Sequence, residues 1–219
     1  MIFSPSAAVG FLLGCAALSA GLHLRAEYGG PRWQVYLFKP TSTALLLLLA
    51  ALSTPAHGSR YQQAVVIGLA CSLIGDVLLM LPRDRFVAGL ASFLMAHLAY
   101  LVAFSAGVPI GTAPALVIPL LAMAVPLLRL LWPGLRTLRL PVLLYATTIL
   151  LMAWLAWGRA SALSTPGASL AAAGATLFMA SDAVLALNRF RRPFRSAQAL
   201  IMTSYVAAQA LIALSVRTP

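Results

Sequence analysis

Apolar stretches of about twenty residues follow one another along the whole chain, separated by short clusters of Gly, Pro and Arg. A run of roughly 20 apolar residues is what an α-helix needs to cross a hydrocarbon core of ~30 Å. The breaks fall at Gly29-Gly30-Pro31, Thr54-Pro55, Leu81-Pro82, Pro109 to Pro114, Trp132-Pro133-Gly134 and Thr165-Pro166-Gly167. They predict spans at 7–24, 33–52, 62–81, 86–107, 113–131, 140–157, 167–187 and 197–216. The fold class is therefore an all-α membrane protein with eight transmembrane helices. Eight spans of ~20 residues consume about 160 positions. What is left suffices for loops and tails, so residues 1–219 are expected to form a single integral membrane domain. Span five, with Pro119 and Pro126, is expected to be kinked. No basic residue precedes the first segment, which is therefore read as a retained helix rather than a secretory signal.

Composition strengthens this picture: 62% of residues are hydrophobic and 9% charged, with a mean hydropathy of +0.95. A soluble domain carries about 25% charged residues. Fifteen basic and four acidic residues give a net charge of +11, and Lys39 is the one basic residue that is not Arg. Nucleic acid is excluded as a partner, because the arginines sit singly or in small groups between apolar spans. Their natural partners are membrane lipid headgroups. Cys15 and Cys71 fall inside spans, where they act as small hydrophobes.

The arginines also orient the chain. Loops after the odd-numbered spans hold Arg25, Arg32, Arg83, Arg85, Arg129, Arg136, Arg139, Arg189, Arg191, Arg192 and Arg195, while the other side has Arg60, Arg159 and Arg217. That bias puts the odd-numbered loops in the cytoplasm and both termini outside. A weak internal repeat is also legible. Span three reads Gly68 to Asp76 with a Gly eight residues before the Asp, and span seven reads Gly174 to Asp182 with the same interval. Each soon meets an Arg-Phe pair, Arg85-Phe86 and Arg189-Phe190, and then a Tyr, Tyr100 and Tyr205. Spans three and seven run the same way, so the expected arrangement is a parallel 4+4 repeat about an axis along the membrane normal.

Three strongly ionisable residues lie well inside spans: Lys39, Asp76 and Asp182. Such residues cost at least ~2.5–3.5 kcal/mol near the bilayer centre and default to a functional role. Counting from the span ends, each lies roughly 8–9 Å from the same, cytoplasmic, face. Around them are Ser72, His97, Tyr100, Ser181, Asn188, Ser204, Tyr205 and Gln209. His97 and Tyr100 share a face of span four; His97 is either a hydrogen-bonding strut or a participant in chemistry. His57 falls in a loop and His23 is read as near the opposite face, so neither is given a role. A metal would need three or more converging ligands, and His97 with two aspartates is too thin a set, so neither a metal nor a cofactor is expected.

Phe38-Lys39-Pro40-Thr41, Ser72-Leu-Ile-Gly-Asp76-Val-Leu-Leu-Met80 and Gly89-Leu-Ala-Ser-Phe93-Leu-Met-Ala-His97-Leu-Ala-Tyr100 resemble the YhhN-like lysoplasmalogenase family. Ser181-Asp182-Ala-Val-Leu-Ala-Leu-Asn188 and Tyr205-Val-Ala-Ala-Gln209 match in order and spacing. Spans one, five and six carry little that is diagnostic. The resemblance implies an eight-span hydrolase of a bacterial inner membrane. Its substrate would be a lysophospholipid, lysoplasmalogen, whose vinyl ether bond is cleaved to a fatty aldehyde and a glycerophospho-base. That reaction needs an acid to protonate the β-carbon and an anion beside the resulting oxocarbenium ion, the division of labour two carboxyl groups provide in glycosidases. Asp76 and Asp182 would be the catalytic pair, in an order the sequence leaves open. Lys39 would bind the lipid phosphate or hold one Asp ionised. His97, Tyr100 and Tyr205 would orient water and the glycerol hydroxyl, with Ser181, Asn188 and Gln209 in support. The competing class is a proton-coupled transporter or flippase with the aspartates as a relay.

Overall fold

A computed structural model describes residues 5–109 and 111–219, and among them all regular structure is helical. The helices are α1 (Pro5–Gly29), α2 (Arg32–Leu52), α3 (Ser59–Met80), α4 (Phe86–Ser105), α5 (Val117–Leu135), α6 (Arg139–Leu163), α7 (Pro166–Phe190) and α8 (Ala197–Ser215). Helix is the form available to such a sequence, because hydrocarbon offers no partner to an open backbone N–H or C=O. Short 3-10 turns at Pro114–Leu116 and Arg136–Leu138 flank α5, so Pro114–Leu163 runs on as one helical stretch. Counted that way, seven stretches are long and apolar enough to cross a membrane. Within the stretch the chain still reverses. Arg136 takes a left-handed φ of 46°, and Trp154 on α6 donates its indole N–H to the carbonyl of Ala113 ahead of α5 at 2.8 Å.

The helix ends depart from the sequence reading in instructive ways. α1 continues five residues beyond the expected Leu24, and α6 runs on to Leu163 rather than stopping at Trp157. Polar residues end an apolar span without ending a helix. The predicted break at Trp132-Pro133-Gly134 is corrected: α5 passes through Pro126 and Pro133 and ends at Leu135. Arg159, read from sequence as a loop residue, lies inside α6 at 4% exposure. Its guanidinium donates to the carbonyl of Ala106, just past α4, and lies 5.0 Å from the Tyr61 ring centroid. The predicted break from Pro109 to Pro114 includes Ile110, which is outside the described residues, as are residues 1–4 of the N-terminus assigned above to the outer side.

α3 packs along α4 and α7 along α8; α2 adjoins α3 and α6 adjoins α7; α4 leans on α6 and α8 on α2. Small residues allow these close approaches, as they do wherever helices associate in lipid. On α7, Ala168, Ala171, Ala172 and Ala175 are fully buried. On α3, Gly68 and Gly75 receive aromatic rings of α4: a Cβ on Gly68 would collide with Tyr100, and one on Gly75 would lie 2.6 Å from Phe93. Large apolar side chains such as Phe11, Leu52 and Ile118 point outward, as a lipid-facing surface requires.

Candidate active site

Lys39 on α2, Asp76 on α3 and Asp182 on α7 come together at one end of the bundle. All three line a polar cavity of about 1150 Å3, mouth included, that opens beside the loop at 81–85, with Arg189 and Gln198 across from it. Ser181, Asn188 and Tyr205 line it too. The common depth expected for the three charges is thus the depth of one cavity.

Asp76 is 2% exposed. Its Oδ2 accepts from Thr43 Oγ1 at 2.6 Å and from Tyr205 OH at 2.7 Å. Lys39 Nζ stands 4.0 Å from its other oxygen, Oδ1. Lys39 and Thr43 are one turn apart on α2, which is why one helix face delivers both. Gly75 has a local reason to precede this aspartate, since its missing side chain leaves the space into which Phe93 packs. Phe93 in turn meets the Tyr205 ring edge-on at 5.9 Å, fixing the hydroxyl donor.

Asp182 is more open, at 14%. Its Oδ2 accepts from Tyr145 OH on α6 at 2.6 Å and lies 3.6 Å from His97 Nε2 on α4, beyond hydrogen-bonding distance. His97 is fully buried, held edge-on between Tyr145 at 5.0 Å and Phe178 at 4.6 Å. It stands behind Asp182 and not on the cavity wall.

Tyr100 and Gln209 are not brought to the cavity. Tyr100 OH donates to Gln209 Oε1 at 2.7 Å inside the bundle. The cause is register: Tyr100 sits over Gly68, two turns and roughly 12 Å along α3 from Asp76. Ser181 donates to the Ile201 carbonyl at 3.1 Å, tying α7 to α8 beside the carboxyl, while Asn188 Oδ1 accepts from the N–H of Phe194 at 3.1 Å and shapes the loop at the mouth. Ser204 bonds back to its own helix at Leu200, and Ser72 is buried. His23 is corrected: it lies near the C-terminal end of α1, beside the turn into α2 and hence at the Lys39 end, and lines a second polar cavity with Glu27, Arg32, Tyr36 and Lys39. Lys39 thus borders both polar cavities.

Thr43 and Tyr145 went unread in the sequence. Thr43 is signalled by its i+4 spacing from Lys39. Tyr145 follows Lys39 by the same number of residues as Asp182 follows Asp76, an interval by which the sequence could have found it. At the mouth, Arg189 pairs with Asp84 at 2.5 Å and lies over the Phe86 ring at 4.7 Å, and Phe86 meets Phe190 edge-on at 5.5 Å. The hydrogen bond from Arg189 holds the Asp84 carboxyl below the usual carboxylate range. Among the described residues, no group of three or more His, Cys, Asp or Glu side chains converges as a metal site would require.

Such an arrangement can move a proton at one carboxyl, hold negative charge at the other, and offer a cation to an anionic headgroup between them. Comparison with known proteins adds the following. The sequence model of the YhhN family matches residues 34–216. The membrane protein YhhN of Escherichia coli is 35% identical over 195 residues, 89% of this chain and 93% of that protein. Lysoplasmalogenase TMEM86B of Homo sapiens is 35% identical over 188 residues, 85% of this chain and 77% of its own. Lysoplasmalogenase TMEM86A of Homo sapiens is 32% identical over 201 residues, 84% and 79% respectively. No solved structure matches the chain significantly.

Proposed function

The chain belongs to the YhhN family of membrane proteins, and from that premise we propose that it is a lysoplasmalogenase, a hydrolase cleaving the vinyl ether bond of a lysoplasmalogen. The observation that carries the reading is a pair of aspartates with unlike partners on the wall of one polar cavity. Relatives named lysoplasmalogenase, at 32–35% identity, supply the reaction class.

Burying a charge is costly unless it is paired and hydrogen-bonded. Asp76, with two hydroxyl donors and an ammonium group nearby, is equipped to be the carboxylate. Asp182, with one hydroxyl partner and an apolar flank, is equipped to be the protonated acid. In the reaction Asp182 delivers its proton to the β-carbon of the vinyl ether, and the electron pair of the double bond forms the new C–H bond. The oxocarbenium ion so produced is stabilised by the Asp76 carboxylate. Water then adds to the cationic carbon, giving up a proton to a carboxylate. The hemiacetal then collapses: its hydroxyl gives up a proton as the carbonyl forms, the bond to the glycerol oxygen breaks, and that oxygen takes up a proton as aldehyde leaves. Lys39 and Arg85, both on the cavity wall, receive the phosphate.

The reading includes eight spans with the cavity toward the cytoplasm and both termini outside, as the arginine bias implies, in a bacterial inner membrane. It also includes a parallel 4+4 repeat. In its favour, each aspartate takes one partner from the preceding helix of its own half, Lys39 and Thr43 or Tyr145. Each takes another from the last helix of the other half, Tyr205 or His97.

Mass spectrometry of products from purified protein and a lysolipid panel tests the function. Aldehyde and a glycerophospho-base are expected from 1-alkenyl lysolipids and nothing from saturated 1-alkyl ones. Absence of aldehyde from protein in detergent overturns the hydrolase and leaves the transporter, which needs two compartments to act.

A further inference from the structure

Asp182 borders a second cavity of opposite character. This one, about 950 Å3 with its mouth, lies between α4, α5, α6 and α7. Leu127 and Leu131 of α5, Ile149 and Leu150 of α6, and Met179 and Ala183 of α7 are typical of its wall. Asp182, Leu185 and Phe86 line both this cavity and the polar one. Besides Asp182, the polar side chains on the apolar wall are Tyr145 and Thr176, and both are occupied. Tyr145 donates to Asp182 at 2.6 Å; Thr176 Oγ1 accepts from Trp157 Nε1 at 2.9 Å and donates to the Ala172 carbonyl at 2.9 Å.

That wall leaves a ligand nothing polar to meet except one carboxyl group, at the seam with the polar cavity. Polar atoms buried there without partners would be penalised, so the matching ligand is hydrocarbon with a single functional group at the seam. The α7 wall runs past Asp182 in both directions, roughly 9 Å to Thr176 and 12 Å to Phe190. At the end away from the mouth, Met123 is 51% exposed, so the cavity opens sideways where lipid would be.

We infer that this cavity is the chain site: one aliphatic tail lies between α5, α6 and α7, its first carbons beside Asp182, and Thr176 and Leu150 at the far end set the chain length accepted. The inference rests on the lysolipid reading above and adds which wall holds the tail. A membrane lipid or detergent chain filling the space without selection is the competing occupant.

The experiment uses the purified full chain, 1-alkenyl lysolipids of long and short chain, and saturated 1-alkyl lysolipids of the same lengths as uncleavable competitors. In Leu150→Trp, which fills the far end, kcat/KM for the long chain should fall roughly tenfold or more while the short chain stays within about twofold of wild type. Inhibition by the saturated competitors should shift in the same sense. Leu150→Ala, which deepens the far end, should shift preference toward longer chains. Equal loss at both lengths, or no shift in either variant, overturns the site. Should Leu150→Trp fail to fold, competitor inhibition independent of chain length in wild type and in Leu150→Ala overturns it equally. A wild type that binds the competitors by length but releases no aldehyde would keep the chain site and sink the hydrolase.

Discussion

The two aspartates stand on α3 and α7 at the wall of one cavity, yet the bundle surrounds them differently. Asp76 receives two hydroxyl donors on one oxygen and faces an ammonium group, at 2% exposure. Asp182 receives one phenol, has a histidine beyond bonding distance, and borders an apolar cavity at 14% exposure. Where α2 brings Lys39 to Asp76, α6 brings Tyr145 to Asp182. The two carboxyl groups thus have an ammonium group beside one of them only. Two carboxyl groups with the same environment would compete for one role; unlike environments divide the roles before substrate arrives.

The severest way to break this division is to remove either carboxyl group. Asp182→Asn and Asp76→Asn should each lower aldehyde release by at least 10²–10⁴-fold with folding retained, and the double variant should be little worse than either. A variant within about tenfold of wild type would remove that aspartate from the chemistry. The pH profile of wild type should fall on both sides of an optimum, as the pair gains its second proton or loses its first.

Removing the asymmetry itself comes next. Lys39→Met should leave the fold intact and reduce turnover of phospho-headed lysolipids by roughly 10–100-fold, since one charge-assisted contact is worth ~1.5–3 kcal/mol. Wild-type kinetics in that variant would make Lys39 a packing residue. A smaller effect, about tenfold, is expected where one hydroxyl donor is lost. Here the comparison sharpens: Tyr145→Phe should shift the pH profile on the acid's limb, and Thr43→Val on the other. Identical shifts from both would show that the centres are not distinct.

The smallest effect belongs to the mouth. Asp84→Asn should change activity by less than about twofold, because solvent-exposed ion pairs contribute little. The Asp84 carboxyl is held low by Arg189. Its contribution is therefore complete above the ordinary carboxylate range and disappears as pH falls through the lowered value. Thermal unfolding of wild type and variant should accordingly differ slightly near neutrality and converge in acid.

Much of this was legible in the residues. Apolar periods fixed where helices lie, because a chain in hydrocarbon must satisfy its own backbone. Lys39, Asp76 and Asp182 announced themselves because charge inside a span is too costly to be accidental. Gly68 and Gly75 reported close helix contacts only by their type, without naming Tyr100 and Phe93 as the rings they admit. What the sequence could not rank was contact across helices. Tyr100 and Gln209 share the site's motifs but pair with each other two turns away, whereas Thr43, just past the Lys39 motif, and Tyr145, in a span that looked undiagnostic, touch the carboxyl groups. Helical spacing determines which side chains share a face of one helix; which faces meet, and at what depth, depends on how eight such faces pack. That is a property of the assembled bundle, and it alone decided that Asp76 faces a cation while Asp182 faces an oily cavity.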